Sequence, residues 1–114
     1  ELSLTGGPDP GCRRCMPWER VSSDNEMLNF MKKLIEIRKH ASAIIQYGKY
    51  SLQEIKQDVV ALEWKCDGQI LKAIFNQSKE DYLLEKETVA LASNCQELEN
   101  QLVISPKGFV IFKN

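Results

Sequence analysis

The sequence predicts a mainly β protein, in which an extended loop and one amphipathic α-helix precede an antiparallel β-sandwich of about 70 residues. Three observations predict it. Three of the four prolines and three of the six glycines fall within residues 1–22; apolar residues then recur at three- and four-residue steps up to His40; from about residue 43 the period drops to two and β-formers take over. At 114 residues the chain is long enough for one domain and too short for two that each bury a core.

Pro8, Pro10, Pro17, Gly6, Gly7 and Gly11 break any regular pattern, so residues 1–22 read as an extended loop. Ser23-Asp24-Asn25-Glu26 fits a capping box and predicts a helix over 24–39. Met27, Phe30, Met31, Leu34 and Ile37 form its apolar stripe, broadened by Leu28 and Ile35, while Asn29, Lys32, Lys33, Glu36 and Lys39 stay off it. A stripe about 180° wide is more than one surface covers, so the helix is expected to touch two things. Arg38, Lys39 and His40 close its last turn, where positive charge complements the helix dipole.

Val60, Leu62, Trp64 and Cys66 alternate with Val59, Ala61, Glu63 and Lys65; Asp67-Gly68 supplies a two-residue turn, and Gln69 to Phe75 returns. Leu71, Ala73 and Phe75 share one face of that second strand and Ile70 and Ile74 the other, which predicts a central strand. Shorter strands are expected at 44–52, 82–85 and 88–93. A last pair at 101–105 and 109–113 is expected to be joined by a type I turn at Ser105-Pro106-Lys107-Gly108.

Fifteen basic against sixteen acidic residues give a net charge of −1, without the basic excess that nucleic acid demands. No apolar run approaches the roughly 20 residues of a membrane span, and no targeting signal opens the chain, so a cytoplasmic setting without nucleic-acid or membrane partners is expected. Glu1 in place of a methionine fits a mature product, an engineered one, or a piece of something longer.

Cys12-Arg13-Arg14-Cys15 has the spacing of half a zinc site or of a redox pair; two loop cysteines with neither role are the plainer reading. Cys66, Cys95 and His40 are scattered singly, and no metal or cofactor is expected. Cys66 reads as a small core hydrophobe, and His40 as a residue at a helix end. No Gly-x-Ser-x-Gly elbow or second histidine offers an activated nucleophile, so no catalytic residue is assigned. Glu80, Asp81, Glu85, Glu87, Glu97 and Glu99 fall in or beside short strands and read as solvated. What remains is Asp9 and Arg13, four residues apart in a Pro-punctuated loop beside Trp18. Such a set can hydrogen-bond sugar hydroxyls and stack on a pyranose face, or simply form an internal ion pair.

Gly6-Gly7-Pro8-Asp9-Pro10-Gly11-Cys12-Arg13-Arg14-Cys15-Met16-Pro17-Trp18 resembles the segment after the last barrel strand of α-amylase-family glycoside hydrolases. It is most similar to the neopullulanase, cyclomaltodextrinase and oligo-glucosidase group, whose pattern there is Asp-Pro-x-x-Arg-[Arg/Lys]-x-Met-x-Trp. Glu1 would end the family's Tyr-Gly-Asp-Glu strand motif. Leu34-Ile35-Glu36-Ile37-Arg38-Lys39 resembles the end of the last barrel helix, and Tyr47-Gly48-Lys49-Tyr50 onward the C-terminal β-sandwich. Two features depart from the pattern: His40-Ala41-Ser42-Ala43 lacks a proline usual after that histidine, and Leu2-Ser3-Leu4 is an unusual continuation of the strand motif.

The resemblance implies that residues 1–42 are the tail end of a catalytic barrel and 43–114 a C-terminal β-sandwich domain. Family members hydrolyse α-glucans or maltodextrins with retention, using a carboxyl pair about 5–5.5 Å apart in a barrel of about 250 residues. That pair lies upstream of the last barrel strand, so the chain is expected to be a non-catalytic portion supporting the barrel. Asp9 and Arg13 match positions that contact a glucose unit, whereas Arg14 and Trp18 are expected to support the loop. The alternatives are an independent carbohydrate-binding module and a small zinc-binding interaction module. Without a barrel, the 24–39 helix is expected to drive self-association or to be covered by residues 1–22.

Overall fold

The computed structural model describes residues 5–113; Glu1 and Leu2-Ser3-Leu4, read above as part of a strand motif, lie outside the described residues, as does Asn114. The chain divides into two compact units, one up to Glu36 and one from Ile37 onward.

In the first unit the proline-rich loop tightens into turns, with Gly11 N–H donating to Pro8 O (2.7 Å) and Arg13 N–H to Pro10 O (2.9 Å). A short 3-10 turn follows at Trp18–Arg20. Helix α1 spans Glu26–His40. Its N-terminus is capped by Asn25, whose Oδ1 accepts from Leu28 N–H at 2.9 Å, rather than by the expected Ser23. Ser23 instead donates its hydroxyl to Asp24, and Asn25 also reaches back to Arg20 O. Asparagine caps as well as serine does, so two candidates two residues apart left the boundary open by that much. No α1 residue is fully buried, and Met27 and Ile35 are 43% and 46% exposed.

The second unit is built on antiparallel strands: β1 (Lys49–Lys56), β2 (Val59–Cys66), β3 (Gln69–Asn76), β4 (Tyr82–Glu85), β5 (Val89–Glu97) and β6 (Gln101–Lys113). Among the described residues they form one six-stranded curled sheet in the order β1-β2-β3-β6-β4, with β5 also paired to β6. The predicted β2–β3 hairpin is present. Asp67 (φ 49°) and Gly68 (φ 79°) adopt the left-handed backbone of its turn, and β3 sits between β2 and β6 as a central strand. In the β1–β2 turn Asp58 (φ 59°) alone takes the left-handed backbone. The register of β1 on β2 shifts between Glu54 and Lys56.

Two expectations about the strands fail. Residues 44–47 are not strand but the end of a six-residue helix, α2 (Ser42–Tyr47), because Ala41 and Ile44 at helical spacing are fully buried against Leu71. Gly48 ends α2 where any Cβ would collide with the Ile44 carbonyl. The expected turn at Ser105–Gly108 is instead a kink inside one strand, since β6 runs unbroken for 13 residues. Lys107 takes φ 63°, and a Cβ on Gly108 would lie 2.5 Å from Asn94 O. Asn94 answers on β5, at φ 53°, donating its side-chain amide to Pro106 O at 2.8 Å. The kink lets β6 pair with β4 through Gln101–Ile104 and with β3 through Phe109–Lys113.

The inside of the curl packs Val59, Ala61, Ile74, Leu102, Ile104, Val110 and Phe112. Ala41, Ile44 and Leu71 form a smaller second cluster, with Trp64 and Cys66 partly buried against it. Asn76 is buried without being apolar. Its Nδ2 donates to Ile104 O (2.7 Å) and Glu80 O (2.8 Å), while its Oδ1 accepts from the amide and hydroxyl of Ser78. Replacing Asn76 with alanine leaves a buried carbonyl without its donor, and a loss of about 2–4 kcal/mol is expected in urea unfolding. Ser78→Ala, farther toward solvent, should cost clearly less.

Candidate functional site

The turn at Pro8–Arg13 brings the two predicted binding residues together. Arg13 Nε lies 2.8 Å from Asp9 Oδ1, and Arg13 Nη2 donates to Asp9 Oδ2 at 3.2 Å, so guanidinium and carboxylate meet edge to edge. Both side chains are largely exposed, 76% for Arg13 and 61% for Asp9. Such a pair adds little to stability, under about 1 kcal/mol. Its effect is orientation: each group fixes the other while the far edge of the guanidinium and one lone pair of Asp9 Oδ2 stay available to hydroxyl groups.

The flanking residues divide. Arg14 Nε donates to Gly11 O at 3.3 Å, holding the turn as expected, whereas Trp18 is 74% exposed. Cys12 donates its thiol weakly to Asp9 Oδ1, at 3.9 Å, and both Cys12 and Cys15 are free and exposed. Among the described residues no three His, Cys, Asp or Glu side chains gather as a metal site would require.

Cys66 and Cys95 are less exposed than this pair. Desolvation, and then the adjacent Asp67 carboxylate, push the Cys66 thiol above its ordinary pKa. Burial likewise raises Cys95, with backbone hydrogen bonds at Ser93 and Phe109 partly offsetting it.

No protein-family model matches the chain. Among curated proteins it is 38% identical over 79 residues to the intracellular maltogenic amylase of Bacillus subtilis strain 168, covering 68% of this chain and 13% of that protein. It is 29% identical over 119 residues to a cyclomaltodextrinase of Thermoanaerobacter pseudethanolicus, covering 99% of this chain and 21% of the relative. The chain belongs to the α-amylase family of glycoside hydrolases, in its maltogenic amylase and cyclomaltodextrinase group. It spans about an eighth to a fifth of the length of these relatives and corresponds to their C-terminal part. The fold agrees. The ligand-free structure of a cyclic alpha-maltosyl-(1→6)-maltose hydrolase from Arthrobacter globiformis superposes with a TM-score of 0.71 and 20% identity, over 100% of this chain and 25% of that one.

Within this family segment, the cysteines give a direct check on the geometry. A raised thiol pKa means less thiolate at a given pH, so at pH 7.5 iodoacetamide is expected to label Cys12 and Cys15 well before Cys66 and Cys95. The lag of the latter pair should shrink as pH rises past about 9, which peptide mass spectrometry over a pH series would read.

Proposed function

We propose that the chain is the non-catalytic C-terminal portion of a retaining enzyme that hydrolyses α-glucans or maltodextrins. In this reading residues 1–42 are the tail end of the catalytic barrel and residues 43–114 its C-terminal β-sandwich, which braces the barrel. The observation that carries the reading is the Asp9–Arg13 clasp, held edge to edge in a family segment that precedes a helix and an antiparallel β domain. The enzyme would sit within the neopullulanase, cyclomaltodextrinase and oligo-glucosidase group. Its setting would be cytoplasmic, as the word intracellular in the name of the Bacillus subtilis relative suggests. No helix among the described residues is long and apolar enough to cross a membrane.

Asp9 and Arg13 would act on substrate by binding, not by bond breaking. The Asp9 carboxylate accepts from sugar hydroxyls while Arg13 donates to neighbouring hydroxyl oxygens, fixing one glucose unit so that the scissile bond meets the carboxyl pair supplied by the barrel. Uniform binding of this kind shows in KM more than in kcat.

A chimera tests this. The C-terminal segment of the Bacillus subtilis maltogenic amylase would be replaced by this chain and assayed on maltotriose, with the 114-residue chain alone as control. The chimera is expected to fold and hydrolyse, and the chain alone to release no glucose or maltose. Asp9→Ala in the chimera should raise KM about tenfold, the loss of one or two charge-assisted hydrogen bonds. A folded chimera whose KM ignores Asp9→Ala would overturn the binding role.

The exposed apolar positions of α1, Met27 and Ile35, support a further part of the reading, self-association of the chain through that helix. Light scattering over a dilution series should then show a mass that falls on dilution for the native chain and stays monomeric for Ile35→Lys. A native chain that is monomeric throughout the series would rule this out.

A further inference from the structure

The inside of the curled sheet is not filled along its whole length. Toward β1 and β4 it opens into a cleft of about 300 Å³. The period-two rule places every second residue of β1, β2 and β3 on this face, and the strand register aligns them in two rows. Ser51, Glu63 and Lys72 are successive cross-strand partners, as are Gln53, Ala61 and Ile74. Tyr82 and Leu84 line the opposite side, from β4. One row is thus polar throughout. The other turns from an amide to an aliphatic floor.

Charge narrows the choice of ligand. Lys65 holds Glu63 at 2.8 Å, and Lys72, which also lies 5.8 Å from the Phe112 ring centroid, faces Glu87 at 3.6 Å. Two ammonium groups thus offset two carboxylates, so the rim has no net charge with which to attract an anion or a cation. Hydrogen-bonding capacity is nevertheless open: Ser51, Gln53 and Tyr82 line the cleft with a hydroxyl, an amide and a phenol that make no side-chain hydrogen bond to the other described residues. A ligand that fits is neutral, carries donors and acceptors around its edge and presents an apolar face to Ala61, Ile74 and the Tyr82 ring. A pyranose has that distribution, with C–H groups on its face and hydroxyls at its rim. The volume lies at the low end of the range for small-molecule sites, about 300–1,000 Å³, which suits one ring rather than a chain of them.

We propose that this cleft binds a single neutral pyranose unit at the end of an α-glucan, through residues that take no part in the Asp9–Arg13 clasp. The choice of an α-glucan among pyranosides rests on the function proposed above. Ser51 and Gln53 hydrogen-bond adjacent hydroxyls, Glu63 and Lys72 order the rim, and Tyr82 supplies the apolar face.

The test is a nitrogen-15 NMR titration of the 114-residue chain with maltotriose, with glycerol as a polyol control. Saturable shifts are expected at the amides of Ser51–Ile55, Glu63, Lys72 and Tyr82–Leu84, and none at matched glycerol. Gln53 is exposed on β1, so Gln53→Ala should leave the circular dichroism unchanged while weakening binding about tenfold. Shifts absent from the cleft, equal shifts with glycerol, or an unchanged dissociation constant in both Gln53→Ala and Ser51→Ala would each overturn the proposal. The chimera separates the two readings. A working chimera with a silent cleft removes this site alone, and an inactive chimera beside saturable binding leaves the cleft standing without its parent enzyme.

Discussion

The sheet depends on the backbone of β6. Its hydrogen bonds hold β5 along one edge, and β4 and then β3 along the other, so the curl exists only because one strand serves two directions. A straight strand of 13 residues could not do that. The kink at Pro106-Lys107-Gly108 supplies the change of direction, with a proline that needs no amide partner, a left-handed lysine, and a glycine pressed against the carbonyls of Asn94 and Ser105. Both strands therefore carry an irregularity at the same height.

Closing a sheet in this way leaves polar groups where strands diverge. Asn76 stands at such a point, at the end of β3, and its amide replaces the ladder that β3 and the first half of β6 do not share. One side chain thereby satisfies backbone groups from two segments in a dry place. The same divergence opens the cleft: where β1 and β4 part, side chains that elsewhere would interdigitate stand apart with their polar ends toward solvent.

The firmest part of the sequence reading was the β2–β3 hairpin, because Asp67-Gly68 is a local code for left-handed backbone and the alternation around it is long. The clasp was legible too, since Asp9 and Arg13 belong to one turn and no distant contact decides their meeting. Other features were decided by tertiary contacts. Ala41 and Ile44 favour a helix only because Leu71 lies beneath them, and Pro-Lys-Gly reads as a chain reversal unless β5 is already present to pair on both sides of the kink. No local signal marks Asn76, whose burial is set by Ile104 and Glu80. The cleft draws two or three residues from each of four strands, a pattern that no single window of sequence contains.

The shape of β1 has a consequence for life in a concentrated solution. Among the described residues it is an outer strand, exposed over most of its length, with Leu52 59% and Ile55 39% exposed, and such strands are the usual templates for cross-β growth. Two features discourage that. Lysines stand at both ends of the strand, so two copies pairing antiparallel in register would bring Lys49 against Lys56. The register shift near Ile55 bends the hydrogen-bonding row out of the straight line that a fibril requires. Among the described residues the outer strand is thus guarded by charge at its ends and by irregular backbone near Ile55.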